Sequence, residues 1–357
     1  MIIGTLITIL IFLAALSILV LVHEFGHFIT ARILGVSVEE FGVGFPPRAF
    51  GKIFGKTLYS INWIPLGGFV KLKGEQGESK NDSDSFASKS VWKRLVIVVA
   101  GVVMNFLFAV VILTVGFSVG IPQPIRDVQQ GGKVQDEKII ITSIFPKSPA
   151  GEAGIKTGDI LETVDGEAVK DTEKFQSYVK ERKGQKISLG VLRGKENIAF
   201  SLSPQEIPQA KYIGIGIAFE HVGTISYPVH IAFVEAVRLS FSLCGQILHL
   251  IGSAIRHVTV SAFMGPVGVA ASTGAIAKLG FSYLITLVVQ LSLGLAMFNI
   301  LPFPALDGGR ALFIIVEKIR RKPIPQEIEN MFHAAGFFLL IALVLLVTVQ
   351  DIRRLLP

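Results

Sequence analysis

A single cysteine, Cys244, stands among 357 residues, which excludes an internal disulfide framework and any cysteine-ligated zinc site. The opening apolar run, Ile2 to Leu34, lacks the basic start and small-residue cleavage site of a signal peptide and is too long to be one. It also lacks charge almost entirely, carrying only Glu24 and Arg32. No internal repeat is visible, and only one apolar segment is broken by prolines. Both absences weigh against a cation transporter, which is expected to show repeated, broken helices in both halves. The formal charge of +7 does not form a nucleic-acid patch, because the positive residues cluster in short loops beside apolar stretches.

What is present is hydrophobic. Such residues make up 51% of the chain, with a mean hydropathy of +0.60, well above a soluble domain. Four stretches approach the roughly 20 residues that a bilayer-spanning helix requires. They are Ile3 to Leu34, Leu95 to Ile121, Phe281 to Leu306 and Ala334 to Val349. Arg48, Lys52, Lys56, Lys71, Lys73, Lys80, Lys89, Lys93 and Arg94 lie between the first two, and Arg310, Lys318, Arg320, Arg321 and Lys322 between the last two. Those loops should be cytoplasmic and the N-terminus outside. Arg353 and Arg354 mildly oppose this scheme. The first and third spans then run in the same direction, and residues late in each share a depth on the cytoplasmic side.

Late in the first span comes His23-Glu24-Phe25-Gly26-His27. Two histidines four apart share one helix face and suit a single Zn²⁺ bound through neutral imidazoles. The glutamate between them faces the remaining coordination position, where it can take a proton from water. Ionisable residues near the middle of a spanning helix cost about 2.5–3.5 kcal/mol each on insertion scales, so three together need a task. Late in the third span comes Asn299-Ile300-Leu301-Pro302-Phe303-Pro304-Ala305-Leu306-Asp307-Gly308-Gly309. Two histidines leave a catalytic zinc one protein ligand short, and a carboxylate such as Asp307 is a common third. Pro302 and Pro304 break the helix where irregular backbone must be buried in protein or line a watery cavity, and Asn299 is placed to bind a substrate carbonyl or backbone amide. The rival reading is a Pro-Gly turn with Asp307 as a helix cap.

The motifs HEFGH at 23–27 and NILPFPALDGG at 299–309, with NWIPLGGFVKLKGE at 62–75, AGVVMNF at 100–106 and MGPVGVA at 264–270, resemble the site-2 protease family of intramembrane zinc metalloproteases, in its bacterial RseP-type branch. They run along nearly the whole chain in the family's order. The resemblance implies that His23, His27 and Asp307 bind one Zn²⁺, that Glu24 is the general base, and that Asn299 helps hold the substrate. It implies hydrolysis within transmembrane segments of single-pass proteins already cut outside the cytoplasm, such as anti-sigma factors, or of remnant signal peptides. It further implies a bacterial cytoplasmic membrane location, with the active site toward the cytoplasm.

The fold class expected is an α-helical polytopic membrane protein with about four transmembrane helices, a membrane-associated β-hairpin and one inserted extracytoplasmic PDZ-like α+β domain. Residues 1–121 form the first part of the membrane core. Within it, Thr57 to Lys73 reads as a hairpin around Ile64-Pro65-Leu66-Gly67-Gly68. The resemblance implies that it dips into the membrane near the active site and pairs with substrate as an added strand, with Gly67 and Gly68 at the substrate, the alternative being an ordinary surface hairpin. Ser79 to Ser90 reads as a mobile linker, and Gly101 and Asn105 as packing positions. Residues 138–220 resemble the PDZ domains of bacterial proteases in their permuted order. There Lys211, Tyr212, Ile213, Gly214 and Ile215 open the peptide-groove loop, unless the domain serves only as a size filter. Residues 228–264 read as interfacial amphipathic helices, and 265–357 as the second part of the core. His249, His257 and His333 read as interfacial residues rather than ligands. Besides the transporter, the remaining rival is a catalytically silent scaffold, which could dispense with Glu24.

Overall fold

The computed structural model describes residues 2–125, 128–145, 147–207, 212–257 and 264–355, so Lys211 lies outside the described residues. The chain divides into two compact units, Met1–Thr114 with Phe233–Pro357, and Val115–Ala232. In chain order the elements are α1 (Ile2–Ile33), β1 (Val38–Phe54), β2 (Thr57–Leu72), α2 (Val91–Val119), β3 (Ile121–Pro124), β4 (Lys133–Ile144) and α3 (Pro149–Ala153). Then come β5 (Ile160–Val164), β6 (Glu167–Ala168), α4 (Thr172–Glu181), β7 (Ile187–Arg193), β8 (Glu196–Leu202), β9 (Gln205–Ile207), β10 (Tyr212–Gly214) and β11 (Ile217–Ser226). Four further helices follow after α5 (Val229–His257): α6 (Pro266–Leu279), α7 (Phe281–Ile300), α8 (Asp307–Arg320) and α9 (Gln326–Leu355).

Five helices among the described residues are long and apolar enough to cross a membrane: α1, α2, α5, α7 and α9. The additional one is α5, a single continuous helix of 29 residues where separate interfacial helices were expected. Its polar residues Glu235, Arg238, Ser242, Gln246, His249, Ser253 and Arg256 recur every three or four positions and form one stripe. Its small and apolar residues Ala232, Ala236, Cys244, Ile251 and Ala254 are buried. α7 stops at Ile300, where Leu301 turns extended ahead of Pro302 and Pro304. α6 begins under Asp351 of α9, whose buried carboxylate accepts the Gly268 N–H at 2.7 Å. A side chain at Gly265 or Gly268 would run into that carboxylate, which explains the glycines of MGPVGVA.

The hairpin is longer than the sequence suggested. Its tight turn falls at Gly55-Lys56, between Phe54 and Thr57, and Thr57–Leu72 is one strand with a bend near Ile64–Gly67. The expected reversal at Ile64–Gly68 is therefore a bend, because both strands curl. Glu40–Val43 pairs with Leu58–Ile61 on one side and with Gly68–Lys71 on the other. Gly68–Leu72 is thus left as a strand edge. Phe50, Ile53, Phe54, Ile61 and Trp63 are exposed around the hairpin, an apolar surface of the kind that seeks lipid or protein.

Ser79 to Ser90 is not a free linker. Asp84 accepts from Ser37 Oγ at 2.7 Å and from Lys73 Nζ at 2.7 Å, while Asp82 meets Lys73 Nζ at 2.8 Å. Ser85 is buried, and Phe86 joins the core beneath α1 and α2. The Lys73 ammonium, followed by the Ser37 hydroxyl, holds the Asp84 carboxyl down to about 2. A depressed carboxyl adds stability above its ordinary pKa of 3.8, and this is lost as pH falls through the folded value. We therefore expect the Asp84 carboxyl resonance to titrate with a midpoint near 2. A midpoint of about 4, the value of a free aspartate, would contradict the clamp.

The second unit is a sheet in the order β3-β11-β4-β5-β7-β8, with β6 on β5. Alternate strand residues fill its core, including Ile139, Ile141, Leu161, Leu189 and Val191, and α4 adds Phe175 and Val179. Asp171 caps α4 by accepting the N–H groups of Glu173 and Lys174. Buried Asp159 takes two bonds from Arg193, at 2.8 and 2.7 Å, and one from the Lys156 N–H. The Arg193 pairing and that amide bond hold its carboxyl below the usual range against desolvation, which acts the other way.

Candidate active site

His23 and His27 stand one helical turn apart on α1, both buried, with their Nε2 atoms 3.2 Å from each other. Asp307, the first residue of α8, brings Oδ2 to 2.9 Å from His23 Nε2 and 3.4 Å from His27 Nε2. The geometry of the α7–α8 connection makes this approach possible. A side chain at Gly308 would overlap the carbonyls of Ile300 and Leu301, and one at Gly309 the carbonyl of Phe303. Ala305 adopts φ +75°, a left-handed conformation, and its N–H donates to His333 Nδ1 at 2.8 Å. Pro304 lies against Gly336 of α9, where a Cβ would collide with it. Asn299 sits half-buried on the last turn of α7, Pro302 is exposed and Pro304 half-buried.

α2 backs the cluster at very close range. A Cβ at Gly26 would strike the Ala100 carbonyl, and a Cβ at Gly101 would meet His27 Nε2 and lie 2.8 Å from His23 Nε2. Both outer imidazole nitrogens also face α2. His27 Nδ1 is 2.8 Å from the Ile97 carbonyl, which can only accept, so that nitrogen carries the proton. His23 Nδ1 is 3.4 Å from the buried Asn105 side-chain amide, whose Oδ1 has no other partner. Exchanging the amide's O and N, which occupy equivalent positions on the planar group, gives Oδ1 a donor in His23 Nδ1–H. Both Nε2 atoms then present lone pairs.

Two lone pairs and a carboxylate oxygen, mutually within 3.4 Å, repel one another unless a cation lies among them. These three residues are the described group whose donor atoms converge as metal ligands do, all within 4.8 Å. The donor set is nitrogen and oxygen, which suits Zn²⁺ at a catalytic centre. Residues and metal therefore fit. Glu24, on the neighbouring face of α1, lines the same cavity of about 180 Å³ with His27, Asp307, Phe69, Val70 and Leu72. Its Oε2 accepts the Val70 N–H at 3.0 Å.

Gly67 and Gly68 are buried against α1, where a side chain would meet Val20 or Leu21, and Gly67 has φ +81°. They let the hairpin approach the helix just ahead of His23. In the second unit, Tyr212, Ile213, Gly214 and Ile215 line a groove of about 850 Å³ with Phe175 and Val179 of α4. The Ile217–His221 half of β11 borders it and pairs with β4 alone, since β3 reaches only Val222–Ile225.

Paired histidines, a carboxylate from a second helix and an adjacent glutamate are the parts of a zinc-dependent hydrolase. Comparison with known proteins agrees. Peptidase family M50, the site-2 protease family, matches residues 11–343, and the chain belongs to it. A Clostridium perfringens protein named as a zinc metalloprotease is 35% identical, over 95% of this chain and 97% of that one. The zinc metalloprotease RasP of Oceanobacillus iheyensis is 28% identical, over 98% and 99% respectively. A Mesorhizobium japonicum protein, also named as a zinc metalloprotease, is 31% identical over 96% of each. This chain is accordingly a multi-pass membrane zinc metalloprotease, and zinc is its cofactor.

Proposed function

We propose that this protease hydrolyses peptide bonds within the transmembrane segments of other membrane proteins. The observation that carries the reading is the His23–His27–Asp307 cluster with Glu24 beside it, built on helices of membrane-crossing length. His23, His27 and Asp307 hold the zinc. The metal, when bound, supplies Lewis-acid activation of the attacking water and of the scissile carbonyl. Glu24 takes the water's proton and passes it to the leaving amine. Ile97 and Asn105 fix the imidazole tautomers from the outer side, and His333 steadies the backbone ahead of Asp307. Asn299, with the irregular backbone at Pro302 and Pro304, holds the substrate chain near the metal.

A transmembrane helix must unwind before it can be cut, because its carbonyls are already hydrogen-bonded. The Gly68–Leu72 edge offers it an extended partner, with the Val70 amide facing Glu24. The exposed apolar hairpin fits a membrane-associated element. α1, α2, α7 and α9 are the spans, and α5 packs beside them, Phe241 against Phe106 of α2 with ring centroids 4.9 Å apart, and Ser242, Gln246 and Ile251 facing Gln290, Gly294 and Phe298 of α7. That arrangement keeps α1 and α7 parallel, as a cluster shared by His23 and Asp307 demands. The membrane is a bacterial inner membrane, and the basic loops support an orientation with the site toward the cytoplasm and the N-terminus outside. The sheet unit lies outside as a PDZ-like domain, whose groove at Tyr212–Ile215 takes a peptide or whose bulk excludes untrimmed substrates. The substrates are single-pass proteins already cut outside, anti-sigma factors or remnant signal peptides among them.

The test is reconstitution of the purified chain in liposomes with single-pass membrane proteins. Cleavage within the membrane segment should stop on chelation with 1,10-phenanthroline and return with Zn²⁺. Cleavage confined to soluble peptides, or undiminished after metal removal, would contradict the proposal.

A further inference from the structure

Two amides on the free edge of β2 face the zinc cavity, and carboxylates hold both. The Val70 N–H donates to Glu24 Oε2 at 3.0 Å, and the Leu72 N–H donates to Glu75 Oε2 at 3.3 Å. Residues two apart on a strand direct their amides to the same edge, so these are the donors that an added peptide strand would use. The second oxygen of Glu75 is bound by Arg310 Nη1. Arg310 lies about one turn beyond Asp307 on α8. A closed path therefore runs from Glu24 through Val70, Leu72, Glu75 and Arg310 to Asp307. Glu75 and Arg310 also form a common wall. They line the cavity around Glu24, His27 and Asp307 and, on their other side, a charged pocket of about 300 Å³ that includes Arg94, Glu317, Gln326 and Glu329.

We propose that Glu75 and Arg310 are a positioning pair that fixes the spacing between the substrate-pairing strand edge and the helix carrying Asp307. The inference rests on the protease function proposed above. Gly68–Leu72 is bonded to a neighbouring strand on one side only, so its distance from the metal ligands depends on what ties its other side. The Val70–Glu24 bond ties it to α1, and the Glu75–Arg310 bond ties it to the helix that carries Asp307. Partly exposed ion pairs contribute little to overall stability, so its loss should spare the fold. Its effect is on register. A peptide paired on this edge advances in steps of two residues, and a loosened edge lets a neighbouring bond reach Glu24.

The experiment compares wild type, Glu75→Gln, Arg310→Gln and the exchanged pair Glu75→Arg with Arg310→Glu, all full-length in liposomes with one single-pass substrate. Rates, zinc content and product masses are measured. Glu75→Gln retains an acceptor for the Leu72 amide and removes only the charge that Arg310 grips. Each single variant should keep one zinc per chain, lose about tenfold in kcat with KM within about threefold, and release additional products cut two residues from the main site. The exchanged pair should restore the single product and part of the rate, the remainder reflecting the Leu72 amide, for which Glu75→Arg offers no acceptor. Variants that cut one bond at the wild-type rate, that lose zinc together with activity, or that gain nothing from the exchange would overturn the inference alone. A zinc-loaded wild type that cuts no membrane protein would overturn the protease reading and this pair with it.

Discussion

Glu24→Gln should abolish cleavage while leaving the zinc in place. Glutamine keeps the carbonyl that accepts the Val70 amide, and it touches neither Nε2 atom nor Asp307, so the ligand set is intact. What it removes is the group able to carry a proton from water to the leaving amine. General acid–base catalysis of this kind contributes about 10²–10⁴-fold, and the loss should fall in that range with substrate still bound. Zinc quantified by emission spectroscopy, alongside turnover on a membrane-embedded substrate, checks both halves. A glutamine variant that cleaves at the wild-type rate would remove Glu24 from the mechanism. One that loses its zinc would show instead that the glutamate supports the site structurally.

The second large effect concerns a residue with no functional group. Gly101→Ala places a methyl in contact with His27 Nε2 and within 2.8 Å of His23 Nε2, where the proposed metal ligands converge. The neighbours cannot yield, since α1 is pressed against α2 at Gly26 and Ala100. The imidazoles must turn or the helices separate, and either outcome spoils the ligand geometry. Zinc affinity should fall by about 10–100-fold or more, the scale seen when the shell behind metal ligands is altered. Gly294→Ala supplies the control. That glycine also lies in a helix, α7, and its Cβ would meet nothing within 4 Å. Competition with a chromophoric chelator measures both. Equal affinity in wild type and Gly101→Ala would contradict the close approach.

The chemical half of the site was legible in the sequence because ionisable residues are so few in its apolar stretches. His23, Glu24 and His27 announce themselves by spacing on a helix. Asp307 does so as the lone carboxylate beside a broken helix of parallel direction. The supporting half was not legible. Asn105 and Gly101 read as packing positions, and only the crossing of α1 and α2 shows that what they pack against is the histidine pair. His333 read as an interfacial residue, yet it accepts the Ala305 amide 28 residues away, a contact no local pattern encodes. Glu75 and Arg310 are 235 positions apart, and each alone resembles a solvated loop charge.

The fold shows a similar division. Apolar length identified α1, α2, α7 and α9, because burial in lipid needs little more than an unbroken hydrophobic run. α5 was harder, since its polar stripe reads as several amphipathic pieces although the backbone is continuous. In the hairpin, Pro65 and the Gly67-Gly68 pair signalled a reversal, whereas Gly55, with φ +64°, makes the tight turn. The polar Ser79–Ser90 segment looked free because its order comes from Lys73 and Ser37, residues outside it.

The most direct test of the account is X-ray absorption at the zinc edge of the purified wild-type chain, compared with Asp307→Ala. The wild type should show one zinc with two imidazole nitrogens and carboxylate oxygen at about 2.0–2.2 Å and no sulfur. Asp307→Ala should bind zinc far more weakly or show one light ligand fewer. A sulfur neighbour, or an identical spectrum at equal zinc content in the variant, would contradict a centre assembled from His23, His27 and Asp307.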